Sequence, residues 1–335
     1  MRTYHVNSGA GIDGLSVREH EVPVPGPGEV LVALRAASLS FRELMVLRGD
    51  YVLPVKPDVI PVSDGAGEIV AVGPGVDPAR IGDRVMATLF PSWQDGPFGP
   101  EHLPQLGGSL DGMLTEYAVL PESALVPVPT HLTFQEAATL PCVAVAAWNA
   151  LTGDTGGGVR AGQTVVVQGS GGVSLFALQF AKMLGAHVIA TTSSQEKAKR
   201  LLKLGADEVI DYRTTPDWPG RVRELTGGRG ADRVIEVAGL LEESLKAVKV
   251  YGHVAFVGFV SDTATPLDPM VLFASGATVR PLAVGSRAQF LEMSRAIEVN
   301  RLRPVIDREF AFDDAPDAYR HLASGQTFGK VVITV

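Results

Sequence analysis

The stretch QTVVVQGSGGVSLFALQFAKMLG, residues 163–185, decides the fold. Its first part, TVVVQ at 164–168, is a β-branched run suited to a strand buried on both faces of a parallel sheet. A glycine turn and an apolar, helix-spaced run come directly after it, so the segment reads as strand, tight turn and helix. The turn is Gly169-Ser170-Gly171-Gly172-Val173-Ser174. A helix N-terminus presents unpaired N–H groups and the positive end of the helix dipole, which together attract an anionic group such as a nucleotide pyrophosphate. Gly169 allows the sharp turn and Gly171 the close approach, while Ser174 stands where the third glycine of a G-x-G-x-x-G pattern would fall. Ala177, Leu178, Ala181 and Leu184 give the helix a sheet-facing stripe, and a second strand at 187–191 follows Gly185.

The remainder of the composition narrows the function. With 335 residues, 46% of them hydrophobic, the chain can form two domains with cores of their own. A net charge of −8 and the lack of a basic run argue against nucleic acid as a partner and leave a small metabolite. No apolar stretch approaches the roughly 20 residues of a membrane span, and the start MRTYHVNSG lacks the basic and apolar regions of a signal peptide, so the cytoplasm is the expected compartment. Cys142 is the only cysteine, which precludes an intrachain disulfide and a cysteine-built structural zinc site.

Residues 1–123 carry short β-branched runs at 15–21, 29–37, 67–72, 84–87 and 114–119, separated by Pro/Gly turns, and predict a barrel-like β domain. Residues 91–110, rich in Pro and Gly, predict a surface lobe whose Trp93 and Phe98 are candidate contacts for an aromatic substrate or plain packing residues. A helix is expected over 133–151, with Thr133 and Glu136 at capping-box spacing. Beyond the glycine turn, strands at 188–191, 208–210, 233–237, 253–257 and 278–283 alternate with helices at 195–204 and 241–250, the pattern of one parallel sheet covered on both faces. A helix at 286–300 and a terminal strand at 330–335 complete the reading.

In that order, LPCVAVAAWNAL, VVVQGSGGVS, LLKLGADEVIDYR, TGGRGADRVIEVAG and the final GKVVI resemble the medium-chain dehydrogenase/reductase superfamily over essentially the full chain. The resemblance implies a GroES-like catalytic domain at 1–123, an α/β Rossmann coenzyme domain with a doubly wound parallel sheet at 124–284, and a return to the catalytic domain at 285–335. Within the superfamily the chain is similar to the zinc-independent quinone oxidoreductases and to proteins labelled zinc-type alcohol dehydrogenases. Where the zinc enzymes of the family place Cys, His and Cys, this chain has Ser40, Ser63 and Cys142, so no catalytic metal is expected, and Cys142 is expected to line the nicotinamide end of the cleft.

The resemblance also implies the cofactor and the chemistry. Gly169, Ser170, Gly171, Gly172 and Val173 would hold the pyrophosphate, with Lys330 reaching it from the last strand. The segment after the second strand, which includes Thr192 and Ser193, has no carboxylate for a ribose hydroxyl. With Lys197 and Tyr212 it would favour the 2′-phosphate of NADPH over NADH. Ala238, Gly258 and Phe259 would close the adenosine and nicotinamide ends of the site. Expected substrate-facing groups are Ser40, Tyr51, Ser63, Asp64 and Cys142, with Arg42 as a further donor. Without a metal, hydrogen-bond donors must stabilise the developing oxyanion, which suits a quinone or an α,β-unsaturated carbonyl whose charge is delocalised. The alternatives are an alcohol or ketone dehydrogenase and a non-enzymatic NADPH-binding protein. The strand at 278–283 would leave an unpaired edge, and a second copy pairing along it predicts a homodimer.

Overall fold

The structure, a computed structural model, describes residues 1–153, 157–260 and 266–335. It divides into two compact units, Met1–Val145 with Ser286–Val335 and Ala146–Gly285. The chain leaves the first unit at 145/146, whereas the sequence reading put this crossing at 123/124. The intervening residues hold to the first unit through a strand that pairs there, β7 below, and a short helix, α2, packed on three of its strands.

In chain order the first unit begins with β1 (Arg2–His5) and β2 (Ser16–Glu19), a separate antiparallel pair. There follow β3 (Glu29–Leu39), α1 (Phe41–Arg48), β4 (Asp64–Val72), β5 (Arg84–Ala87), β6 (Tyr117–Pro121) and β7 (Leu125–Pro127). Next come α2 (Phe134–Ala138), a π-helical turn at Leu140–Ala144 and α3 (Val145–Thr152). The expected capping box is present: Glu136 N donates to Thr133 Oγ1 at 3.1 Å and Thr133 N donates to Glu136 Oε2 at 2.9 Å. The single helix expected over 133–151 is instead interrupted. Pro141 has no N–H to give and its ring crowds the preceding turn, so the backbone widens to a π turn around Cys142.

The second unit contains β8 (Thr164–Gln168), α4 (Gly172–Met183), β9 (His187–Thr192), α5 (Gln195–Lys203), β10 (Glu208–Asp211) and α6 (Trp218–Leu225). It continues with β11 (Ala231–Glu236), α7 (Leu241–Ala247), β12 (Val248–Phe256), α8 (Pro269–Ser275) and β13 (Thr278–Pro281). All pairings are parallel and the order is β10-β9-β8-β11-β12-β13, the doubly wound Rossmann arrangement. Val165, Val166 and Val167 of the central β8 are fully buried, each such side chain contributing about 1.5–3 kcal/mol. The helix expected to reach residue 250 stops at Ala247, because Val248 onward pairs as the long start of β12.

The chain then returns through α9 (Arg287–Asn300), β14 (Ile306–Ala311), α10 (Ala315–Ala323) and β15 (Lys330–Thr334). In the first unit's seven-stranded sheet, ordered β14-β15-β3-β4-β5-β7 with β6 pairing β3 off that path, β15 runs antiparallel to β3. That pairing puts the start of β15, the end of β3 and the start of β4 side by side. The lobe at 91–110 is organised around its own aromatic cluster. Trp93, only 5% exposed, packs edge-on against Phe98 at 4.9 Å and stacks on His102, so these rings serve the lobe's interior.

Candidate functional site

In the second unit, Gly169 at the end of β8 has φ +74° and donates its N–H to Thr191 O at 3.0 Å. Gly171 is the N-cap of α4, and its φ of −77° is open to any residue. A Cβ added at Gly171 would meet no protein atom within 4 Å. The protein's own packing therefore has no need of glycine there, and the space beside the start of α4, whose first N–H groups have no partner within the helix, is open. Ser174 Oγ donates to Gln168 O at 2.6 Å, fastening the first turn of α4 to β8 where a third glycine would only have given room. Ser170, in the turn itself, is buried.

At the end of β9, Thr192 is buried and its Oγ1 accepts from Ser194 N at 3.4 Å, so its hydroxyl serves the turn. Ser193 follows it, and Ser194 caps α5 by accepting from Lys197 N at 3.2 Å. Tyr212 N donates to Thr192 O at 3.0 Å, which carries the half-exposed Tyr212 ring to the same sheet end. Ala238 follows β11, and Gly258 and Phe259 follow β12, where Val260 N donates to Val237 O at 3.1 Å.

The sequence reading missed the network that holds this end of the sheet. Glu236 is fully buried, and its Oε1 accepts from the N–H groups of Ala238 (2.7 Å), Gly239 (2.8 Å) and Leu240 (3.2 Å). Its Oε2 accepts from Gln168 Nε2 at 2.9 Å and from Ser244 Oγ, and Gln168 Oε1 in turn accepts from Val237 N at 3.2 Å. The available signal was a polar residue ending each of two otherwise apolar central strands, TVVVQ and RVIE.

In the first unit, β15, β3 and β4 bring expected residues into one buried chain of charges. Lys330 Nζ donates to Ser40 Oγ at 2.7 Å and lies 3.3 Å from Asp64 Oδ2. The sequence reading sent Lys330 to the pyrophosphate. Its ammonium is instead committed here, at 2% exposure. Ser63 Oγ lies 2.9 Å from Asp64 Oδ1 and 3.1 Å from Glu43 Oε1, which also pairs with Arg42 Nη1 at 2.8 Å. The Arg42 guanidinium stands over the Tyr51 ring at 4.6 Å.

Burial raises the Asp64 carboxyl above the usual range, with Glu43 adding to it and Lys330 opposing. Burial opposes the charge on Arg42, but Glu43 and Tyr51 hold its pKa above the ordinary value. Tyr51 is raised by burial, against the pull of Arg42. Val62, with φ +73°, is strained for a β-branched residue and fixes the backbone directly before Ser63. Arg42 Nε and Glu43 Oε2 are buried without a hydrogen-bond partner among the described residues.

The zinc positions can be tested on this geometry. Ser40 and Ser63 offer neutral hydroxyls, which leaves Cys142 as the one residue of the three whose side chain can become an anionic zinc ligand. The Lys330 ammonium already supplies a cation beside Asp64. These donors do not fit a zinc ion.

Comparisons with known proteins agree with this architecture. Residues 26–130 match the family described as Alcohol dehydrogenase GroES-like domain, and residues 172–298 the one described as Zinc-binding dehydrogenase. The chain is 43% identical over 334 residues to a zinc-type alcohol dehydrogenase-like protein of Schizosaccharomyces pombe, covering 97% of this chain and 96% of that one. It is 32% identical over 336 residues to a quinone oxidoreductase of Pseudomonas aeruginosa, covering 96% of each. Among solved structures, an NAD-dependent alcohol dehydrogenase superposes with a TM-score of 0.90 at 35% identity, with 100% of both chains covered. A mycobacterial protein complexed with NADPH superposes with a TM-score of 0.84 at 30% identity, again over 100% of both. With a Rossmann unit, a GroES-like unit and relatives of this extent, the chain belongs to the medium-chain dehydrogenase/reductase superfamily and is an oxidoreductase that uses a nicotinamide cofactor.

Proposed function

We propose that this protein is an NADPH-dependent, zinc-independent reductase of quinones or α,β-unsaturated carbonyls, acting in the cytoplasm as a homodimer. The observation that carries the reading is the buried Ser40 hydroxyl, backed by Lys330, at a position where zinc enzymes of the family hold a ligand; a second hydroxyl, that of the partly buried Tyr51, stands outside those positions and is backed by Arg42. Such donors suit an oxyanion whose charge is spread over a conjugated system; a plain ketone would concentrate it on one oxygen.

Gly171, Gly172 and Val173 would hold the cofactor's pyrophosphate, and Ser193, Lys197 and Tyr212 its 2′-phosphate. When bound, the reduced nicotinamide supplies the hydride. The protein's own part is to orient the substrate oxygen toward Ser40 or Tyr51 and to keep charged groups paired around it. The NADPH-bound relative supports the cofactor assignment. The NAD-dependent relative favours a second reading, an alcohol or ketone dehydrogenase on the same fold. Support for the dimer comes from β13, which among the described residues pairs only with β12 and ends the sheet; light scattering that finds only monomers would remove it.

The test is calorimetric titration of chelator-treated protein with NADPH and with NADH, repeated for Lys197→Ala and Tyr212→Phe, followed by a quinone, enone and ketone panel with and without chelator. Preference for NADPH that collapses in the variants, with chelator-insensitive quinone or enone turnover, is expected. Equal binding of NADH together with chelator-sensitive alcohol or ketone turnover would overturn the proposal in favour of the second reading.

A further inference from the structure

We propose that Ser40 is the hydroxyl that hands a proton to the reduced substrate, and that Lys330 is the internal source that replenishes it. The inference rests on the reading that the substrate oxygen is held at the cluster of Ser40, Asp64 and Lys330.

The first observation is how Lys330 spends its hydrogen bonds. A buried ammonium normally secures its counter-ion at about 2.7–2.9 Å. Here the 2.7 Å contact goes to the neutral Ser40 hydroxyl, while the Asp64 carboxylate stands off at 3.3 Å. The second is what Ser40 does not do. It is the N-cap of α1, where a serine hydroxyl ordinarily accepts from the first-turn N–H groups, yet its side chain makes no capping bond. Its oxygen is taken up by Lys330, so its own proton points away from that ammonium. Among the described residues the acceptor in reach is Asp64 Oδ2 at 3.3 Å, a long contact for an O–H donor. A proton so weakly held, on an oxygen polarised by a cation, is available to a better acceptor.

The third observation is order of burial. Asp64 is 0% exposed, Lys330 2% and Ser40 6%, which makes Ser40 the outlet of the chain. The parallel pair in the same cluster works differently. Tyr51 is backed by Arg42, whose guanidinium does not deprotonate, so that hydroxyl is a fixed donor, whereas a lysine amine can give up its proton and regain it. The charged and titratable groups that face Lys330 are Asp64 from β4 and Cys142 from the π turn. Arg42 and Glu43 of α1 lie beyond them, on the far side of Asp64 and Ser63, with Tyr319 of α10 facing that pair.

A bound reduced nicotinamide would supply the hydride for the new C–H bond, and the conjugated π electron pair would then come to rest on the substrate oxygen. That oxygen takes the Ser40 proton, and Ser40 Oγ takes one from Lys330 Nζ. The O–H bond of Ser40 and one N–H bond of Lys330 break as the substrate O–H and a new Ser40 O–H form. Lys330 is left as a neutral amine, and solvent restores its proton after product leaves.

The variants are Ser40→Ala, Ser40→Thr and Lys330→Arg in the full chain, with folding checked by circular dichroism and thermal melting. Steady-state kinetics are measured from pH 6 to 10, NADPH affinity by calorimetry, and hydrogen exchange at lysine Nζ by ¹⁵N NMR. Expected for Ser40→Ala is a loss of about 10²-fold in kcat, the lower range for a lost acid–base group, with KM and NADPH affinity within threefold. Ser40→Thr should recover most of kcat, which a purely structural role of the site would not explain. Lys330→Arg keeps the charge and should lose kcat to a similar degree, with KM unchanged. The Lys330 Nζ signal, assigned by its absence in Lys330→Arg, should exchange faster in Ser40→Ala. Retained kcat in Lys330→Arg would overturn the relay, as would full activity in Ser40→Ala; where Lys330→Arg does not fold, the Ser40 pair and the exchange measurement decide. Absence of any quinone or enone turnover by the unaltered protein would overturn the proposed function itself, and the relay with it.

Discussion

Replacing Glu236 tests whether a buried carboxylate holds the coenzyme end of the sheet. Five donors converge on it: three consecutive backbone N–H groups, the Gln168 amide and the Ser244 hydroxyl. In Glu236→Gln the side-chain oxygen can still accept the three backbone bonds. The new amide nitrogen then faces Gln168 Nε2, a donor against a donor, while Ser244 can rotate to accept. Gln168 cannot turn its amide over freely, since its oxygen already accepts from Val237 N. One buried donor is thus left unpaired, at a cost of about 1–3 kcal/mol. Glu236→Ala removes the acceptor that all five share, although Gln168 Nε2 keeps its 2.8 Å bond to Ser244 Oγ; with water restoring most of the rest, two orphaned donors put the cost at about 2–6 kcal/mol. At roughly 2–4 °C per kcal/mol for a protein of this size class, the Gln variant should melt several degrees low and the Ala variant clearly lower.

Thermal unfolding by calorimetry gives the ranking, and hydrogen exchange at residues 238–240 localises it, since the two units need not unfold as one. A Gln variant that melts within 1 °C of the parent, with unchanged protection at those three amides, would refute the reasoning.

Three further outcomes follow from the same geometry. Gly171→Ala should leave stability unchanged or raise it by up to about 1 kcal/mol, because the φ is ordinary and the added methyl meets no protein atom, yet it should weaken NADPH binding at least tenfold by calorimetric titration. Cys142 is partly exposed, but its thiol is pushed up to about 12 by burial of the sulfur and by Asp64, so it should react more slowly with Ellman's reagent at pH 7.5 in the folded protein than in denaturant; equal rates would contradict this. Asp207 is opposed by burial, but its bonds to Lys182 and Val188 N and the nearby His187 lower its pKa below 3.8, so its stabilisation is full above that value and lost as pH falls through the lower folded pKa. Asp207→Asn should therefore lower the melting temperature at pH 7 by an amount that shrinks toward zero as pH falls from 3.8 through the lower folded pKa, and a constant difference would count against this.

The sequence by itself determined most of the fold. The buried run 164–168, the glycine turn and the alternation of strands and helices specify a parallel sheet because hydrophobic period and turn chemistry are local properties of the chain. The Thr133–Glu136 cap was legible for the same reason, as were the glycines at the start of α4. Tertiary structure decided what local pattern does not encode. Pairing of β15 with β3 and of β3 with β4 brings Lys330 beside Ser40 and Asp64 across 290 and 266 positions of chain, which withdraws Lys330 from the role expected of it and builds the buried charge chain. Likewise Glu236 and Gln168 read as unremarkable strand ends until adjacent parallel strands set them together, 68 residues apart, over three N–H groups that needed an acceptor. A buried charge or polar group must find its partner wherever the fold brings one, and that partner is set by strand register, which is settled only when the sheets assemble.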